Sequence, residues 1–119
     1  MKKTLVLGAS PNPTRYSHAA VTQLSRYGHE VVAVGRREGE IDGIAIQKGE
    51  PALESIHTVT LYLNADNQKQ YYDYILGLNP KRIIFNPGAE NPELARLARE
   101  RGIETLPACT LVMLSVGNY

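Results

Sequence analysis

The chain has 119 residues, of which 43% are hydrophobic, and a formal net charge of +1. This length is typical of one domain of modest size, and the near-zero charge excludes a broad attraction to nucleic acid or to anionic membranes. The single cysteine cannot form an internal disulfide, and no apolar run approaches the roughly 20 residues of a membrane span. The apolar run near the first residue is too short for the core of a signal peptide. We therefore expect a single cytoplasmic domain over residues 1–119.

Two hydrophobic periods alternate along the chain. Short runs rich in β-branched residues indicate buried strands, and apolar residues at helical spacing indicate amphipathic helices. In chain order the patterns predict strand 4–7, loop 8–14, helix 17–27, strand 30–34, loop 35–40, strand 44–46, at most a helical turn or two in 51–56, strand 58–63, helix 68–78, strand 82–85, helix 91–101, strand 103–106, and an apolar tail 108–119 whose structure the pattern leaves open.

The helix boundaries rest on particular residues. Ser17 is the predicted N-cap of the first helix, and Gly28 follows its end, where a left-handed residue is favoured. Residues 64–67 supply capping groups for the second helix. Asn91 caps the third, a proline follows it at the first helical position, and Gly102 ends the helix.

Short strands that alternate with helices of about ten residues predict βαβ units and a parallel sheet. We therefore expect a three-layer α/β fold, with an open, mainly parallel sheet of about five strands and helices on both faces. Ligands of such sheets bind at the carboxyl ends of the strands, near the switch in strand order. Four loops lie at these ends: residues 8–16, 35–39, 64–67 and 86–91.

The first of these loops indicates a phosphate site. Gly8 permits a tight turn after the strand, Ser10 offers a hydroxyl, and the N-terminus of the next helix attracts anions. Arg15 adds a bidentate donor for phosphate. The loop is neither a dinucleotide fingerprint, since serine and proline replace its second and third glycines, nor a P-loop. A proline-stiffened turn without a ligand is the alternative.

The second loop carries Arg36 and Arg37 after Gly35, where an NAD-binding protein would place an acidic residue. Two arginines favour a phosphorylated ribose, as in NADP or coenzyme A. The alternative is a solvated basic turn that Glu38 and Glu40 neutralise.

The fourth loop brings Asn86, Pro87 and Gly88 to a strand end, where the glycine lets a ligand pass close to the backbone. The alternative is an ordinary turn that leads to the next helix. Other chemistry-bearing residues give weaker patterns: the three histidines lack metal-ligand spacing, and nothing nearby in sequence activates Cys109. We therefore predict neither a metal site nor a catalytic residue.

These segments resemble the small single-domain CoA-binding proteins, which are relatives of the CoA-binding domain of the succinyl-CoA synthetase α subunit. The resemblance covers nearly the whole chain and rests on residues 6–17, 28–31, 41–44, 86–91 and Cys109. It implies a Rossmann-like domain that holds coenzyme A across its strand ends. The family often has Asn-Pro at residues 35–36, and Gln-Leu-Gly or Gln-Pro-Gly at residues 86–88, where this chain differs.

The resemblance also implies a role for each candidate site residue. The nucleotide phosphates would contact Gly8, Ala9, Ser10, Asn12 and Arg15. The adenosine end would lie near Gly35, Arg36 and Arg37, and the pantetheine arm near Asn86, Pro87 and Gly88. The synthetases' catalytic machinery, including a phosphorylated histidine, lies on a further domain, so the resemblance implies binding and carries no catalytic role to this chain.

Three hypotheses remain open from the sequence. The first is a module that binds coenzyme A or an acyl-CoA. The second is an NADP-binding oxidoreductase, which the same arginine pair supports. The third is a regulatory or partner subunit that has lost ligand binding. A tyrosine-rich helix surface and the apolar tail leave a homo-oligomer or a partner enzyme subunit possible as an assembly.

Overall fold

A seven-stranded sheet forms the centre of the structure, a computed structural model that describes all residues from Met1 to Tyr119. The strand order is β3-β4-β2-β1-β5-β6-β7. All neighbours pair in parallel except β3, which is antiparallel to β4. The strands are Thr4–Leu7 (β1), Val31–Val34 (β2), Gly39–Ile41 (β3), Ile44–Gln47 (β4), Thr58–Leu61 (β5), Arg82–Phe85 (β6) and Glu104–Pro107 (β7).

Helices cover both faces of this sheet. On one face α1 and α5 pack against alternate strand residues such as Val6 and Ile84, and on the other α3 and α4 pack against residues such as Leu5 and Ile83. None of the helices has the length and apolar character that a membrane span requires. The helices are Tyr16–Arg26 (α1), Ala65–Gln68 (α2), Tyr72–Gly77 (α3), Pro92–Glu100 (α4) and Thr110–Val116 (α5).

The predicted three-layer, mainly parallel α/β class is confirmed, and the fold is Rossmann-like, but the number of strands is larger than predicted. The additional edge strand β3 lies in the segment predicted as a charged loop. Its three residues include a glycine and a glutamate, which give no apolar pattern. A tight turn at Asp42 and Gly43, with φ values of 52° and 85°, folds β3 back onto β4.

One other predicted segment differs from the structure, and the structure defines two segments that the pattern left open. The helix predicted over residues 68–78 is divided into α2, a 3-10 turn at Lys69–Tyr71, and α3. Residues 51–56 contain no helical turn. The apolar tail, left open by the pattern, forms α5 and ends at Gly117 with a φ of 79°. The caps at Asn64 and Asn91 are confirmed, since each side chain accepts a backbone N–H bond of its helix.

Candidate ligand-binding site

A cavity of about 480 Å³ opens at the carboxyl ends of the central strands. Its floor is the loop after β1, and the switch in strand order lies here, because β1 continues to β2 on one side and pairs with β5 on the other. Arg36 and Arg37 line the β2 side. Residues 62–64 after β5 and 87–89 after β6 line the opposite side, which we term the β5–β6 wall.

The loop after β1 is shaped by its own polar side chains. The Ser17 hydroxyl accepts the N–H of Ser10, the Ser10 hydroxyl accepts the N–H of Asn12, and Asn12 Oδ1 accepts the N–H of Thr14, all within 3.1 Å. The N–H groups of Gly8 and Ala9 both donate to the Val34 carbonyl at 2.9 Å. These bonds hold the loop in its shape.

The amino end of α1 faces this loop with free donors. The predicted N-cap, Ser17, is wrong: the helix begins at Tyr16, and Arg15 is the N-cap residue with no side-chain capping bond. The buried Ser17 hydroxyl accepts the N–H of Ser10 instead, so it fixes the loop rather than the helix end. The N–H groups of Tyr16 and Ser17 make no hydrogen bond, and with the helix dipole they favour an anion.

Three arginines, Arg15, Arg36 and Arg37, line the cavity, and no carboxylate does. None of the three takes part in the ion pairs of the structure. Glu38 and Glu40 therefore do not pair with Arg36 and Arg37, although both are near in sequence. The cavity concentrates positive charge in a chain whose net charge is only +1.

Gly35 lies behind the cavity rather than in its lining. A Cβ at this position would lie 2.0 Å from the Ala9 carbonyl oxygen, so only glycine allows the loop after β2 to pack on the loop after β1. Gly39 makes a similar contact, since a Cβ there would lie 2.9 Å from Cβ of Pro11. The two glycines fix the relative position of the arginine-bearing loop and the loop after β1.

Asn86 is also absent from the lining, whereas Pro87 and Gly88, the next residues, belong to it. The buried Asn86 side chain donates to the Thr60 hydroxyl at 2.6 Å and to the Leu61 carbonyl at 2.9 Å. Its oxygen accepts the N–H of Thr110 at 2.9 Å. All polar atoms of this side chain are thus occupied within the protein, and Asn86 supports the loop after β6 from below.

Eight residues that line the cavity were not among the predicted site residues, although the predicted strand-end loops include most of them: Pro11, Tyr16, Ser17, Tyr62, Leu63, Asn64, Asn67 and Ala89. The available signal was the place of these loops after β-prone runs, at the strand ends where ligands bind. The Tyr62 hydroxyl is buried without a hydrogen-bond partner, and burial raises the pKa of Tyr62. The hydroxyl therefore stays protonated at neutral pH.

The histidines and the cysteine lie outside the cavity lining. His29 and His57 lie near Lys2 and Arg82, at the amino ends of the strands. Burial and these cations lower the pKa of both histidines. Cys109 is a free thiol at the N-cap of α5.

Solved structures share this architecture over the whole chain. A crystal structure of an uncharacterized protein is 52% identical, with a TM-score of 0.97 over 100% of this chain and 98% of that one. A hypothetical protein from Pyrococcus horikoshii OT3 is 23% identical, with a TM-score of 0.86 over 97% and 82% of the two chains. The protein cell-free ID.343 from Thermus thermophilus is 21% identical, with a TM-score of 0.85 over 99% and 90%. The last two matches show the fold alone.

A sequence comparison with curated proteins finds no match. A family model described as the CoA binding domain matches residues 2–115. This match spans every strand and nearly all of α5, and it includes each loop that lines the cavity. The chain therefore belongs to the CoA binding domain family.

Proposed function

We propose that the chain binds coenzyme A or an acyl-CoA in the cavity at the strand ends. One observation carries the proposal: three arginines without acidic partners line one cavity that contains no carboxylate. Coenzyme A carries a diphosphate and a 3′-phosphate, so its charge matches this cavity. Guanidinium groups bind phosphate oxygens in a bidentate geometry that ammonium groups do not offer.

The diphosphate would lie at the centre of the site. There Ser10, Asn12 and Arg15 line the cavity next to the free N–H groups at the start of α1, and the Ser10 hydroxyl and the Asn12 side-chain nitrogen have donors that no bond within the loop uses. A helix N-terminus next to a glycine turn stabilises phosphate through both the N–H groups and the helix dipole. Gly8 and Ala9 would contribute their close backbone approach.

The strand order supports one direction of the ligand across the sheet. Arg36 and Arg37 follow β2, on one side of β1, and would take the 3′-phosphate at the adenosine end. The β5–β6 wall lies on the other side and would receive the pantetheine arm beside Pro87 and Gly88. From β2 to β6 there are three strand spacings, roughly 14 Å, which suits an extended ligand.

Calorimetry with coenzyme A and its 3′-dephospho form tests the assignment of the arginine pair. We expect roughly tenfold tighter binding of coenzyme A, which corresponds to one charge-assisted contact. The double variant Arg36→Ala/Arg37→Ala should remove that difference. Arg26→Ala/Arg101→Ala is the matched control, because it removes the same charge from exposed positions outside the cavity lining. Equal affinities of the unaltered protein for the two ligands would refute the assignment.

A thermal-shift panel separates the proposal from its alternatives, since a ligand that binds only the folded state raises its stability by mass action. We expect stabilisation by coenzyme A and acyl-CoA. A larger shift with NADP or NADPH would instead support an oxidoreductase, for which Arg36 and Arg37 would hold the 2′-phosphate. No shift with any nucleotide would support a partner subunit without a ligand.

A further inference from the structure

A fully buried glutamine links the two loops of the β5–β6 wall. Gln68 is the last residue of α2, has no exposed surface, and is not part of the cavity lining. Its side-chain nitrogen donates to the Leu63 carbonyl and to the Ala89 carbonyl, both at 2.7 Å. Leu63 belongs to the loop after β5 and Ala89 to the loop after β6, so one amide group fixes the distance between the two loops.

A second amide holds Gln68 in its orientation. The Gln68 oxygen accepts a hydrogen bond from Asn91 Nδ2 at 2.9 Å, and this nitrogen also donates to the Tyr72 hydroxyl at 2.8 Å. Asn91 Oδ1 caps α4 by accepting the N–H of Leu94 at 3.1 Å. Every polar atom of the Gln68 side chain is therefore bonded, and a buried network of this kind specifies one arrangement of its members.

The position of Leu63 matters to the loop after β1 as well. A Cβ on Gly8 would lie 3.0 Å from Leu63 Cγ and 3.0 Å from the carbonyl carbon of Tyr62. The loop after β5 therefore lies between the loop after β1 and the amide of Gln68. It packs closely on Gly8, where a side chain would not fit, and the bond from Gln68 ties it to Ala89.

We propose that Gln68 is a positioning residue, which sets the width of the groove between Leu63 and Ala89 for the pantetheine arm without touching the ligand. This inference rests on the proposed function, because it assigns the pantetheine arm to the β5–β6 wall. Arg36 and Arg37 lie on the other side of β1, so binding of the nucleotide end does not depend on Gln68.

Two probes separate the halves of the site. Coenzyme A covers both halves, whereas adenosine 3′,5′-bisphosphate carries the nucleotide without the pantetheine arm. In the variant Gln68→Met, which keeps the side-chain length but removes all three hydrogen bonds, we expect the affinity for coenzyme A to fall roughly tenfold. The affinity for the bisphosphate should change less than about twofold, since its contacts are unaltered.

Thr4→Val is the matched control for the loss of buried side-chain hydrogen bonds. Thr4 is fully buried, bonds the Lys2 carbonyl at 2.9 Å and the Tyr119 hydroxyl at 2.6 Å, and is the first residue of β1, at the end opposite the cavity. Its loss should lower stability and leave both affinities unchanged. Equal losses of both affinities in Gln68→Met, or an unchanged affinity for coenzyme A, would overturn the positioning role alone. If the unaltered protein binds neither probe, the proposed function fails, and this inference fails with it.

The side-chain amide of Gln68 gives a second readout that needs no variant. Its nitrogen donates to one backbone carbonyl of each loop, so in the unaltered protein the nuclear magnetic resonance signal of this amide reports on the two loops directly. We expect coenzyme A to shift this signal and the bisphosphate to leave it in place. A signal that neither probe moves, or that both move equally, would contradict the inference even if Gln68→Met did not fold.

Discussion

Gly35 and Asn86 show what single residues contribute to the site without lining it. Both follow a strand that ends at the cavity, and both were expected to contact the ligand. Glycine after a strand is equally compatible with a close approach of ligand or of backbone, and at Gly35 the close neighbour is the Ala9 carbonyl. The polar atoms of Asn86 bond within the protein. A single sequence does not distinguish these cases, because the approaching group comes from a distant segment.

Replacement of Gly35 by alanine should therefore destabilise the protein. The new Cβ would lie 2.0 Å from the Ala9 carbonyl oxygen, and backbone would have to move. We expect Gly35→Ala to lower the free energy of unfolding by about 2 kcal/mol or more and to weaken binding of coenzyme A, as measured by urea unfolding and calorimetry. Gly77→Ala is the control, because this helical glycine has open space around it. Alanine there should raise the free energy of unfolding by about 0.5–1 kcal/mol. Similar effects of the two variants would argue against a tight contact at Gly35.

Among the elements, α1 has a start that lacks the side-chain cap by which helices are usually stabilised. Its N-cap residue has the extended conformation of a capping residue, with φ −87° and ψ 144°, but its side chain makes no cap. Arginine there leaves N–H groups free and adds charge to the cavity. The sequence pattern located the helix correctly but selected the Ser17 hydroxyl as the cap. It could not reveal that this hydroxyl bonds Ser10 across the loop.

A capping residue at position 15 should raise the stability of the protein and lower its affinity for coenzyme A. In Arg15→Ser, the hydroxyl would accept a free N–H at the helix start, and we expect about 1 kcal/mol more stability than in Arg15→Ala. Both variants should bind coenzyme A more weakly, by roughly tenfold, because each loses the guanidinium. Urea unfolding of the free proteins and calorimetric titrations provide the two measurements. Equal stability of the two variants would show that the helix start is already satisfied.

The second helical segment shows how tertiary contacts override a local pattern. Residues 68–78 have helix-compatible spacing, and a continuous helix was expected. The structure interrupts it with the 3-10 turn Lys69–Tyr71, directly after Gln68. The Gln68 side chain bonds two carbonyls that belong to loops of other strands. Those loops are adjacent only in the folded sheet, so the residue that organises one wall of the site had no recognisable sequence signal.

For the whole molecule, the two ends of the sheet differ in their chemistry. The carboxyl ends hold the cavity with its arginines. The amino ends hold Lys2 and Arg82 beside His29 and His57. Burial is the main cause that lowers the pKa of both histidines, and repulsion from the neighbouring cations lowers it further. The strand alternation and overall class were readable from the sequence because they follow local periodicity. The gathering of charges at each end depends on strand order.

These histidines predict the direction of the pH dependence. Because their folded-state pKa lies below the unfolded value of about 6.5, the unfolded chain takes up protons first as the pH falls. The free energy of unfolding should therefore have its full value above pH ~6.5 and decline as the pH falls below it. The decline ends once the pH is below the folded-state pKa values of the two histidines. Urea unfolding at pH 7.5 and 5 measures the change, which His29→Gln/His57→Gln should reduce. A protein that gains stability on acidification over this range would contradict the assignment.

Because β1 pairs with both β2 and β5, the two halves of the site are expected to form at different stages of folding. Leu5 faces Val32 on one side and Val59 on the other, which is twice as far along the chain. The half of the cavity with Arg36 and Arg37 is complete once β1 pairs with β2, and this pairing closes the shorter loop of chain. The pairing of β1 with β5 closes the longer loop, which is slower and costs more entropy. During synthesis the nucleotide half is therefore expected to form first, once β4 has emerged. The second half forms only after β6 has paired, so the proposed ligand, which spans both halves, would stabilise the sheet only from that point on.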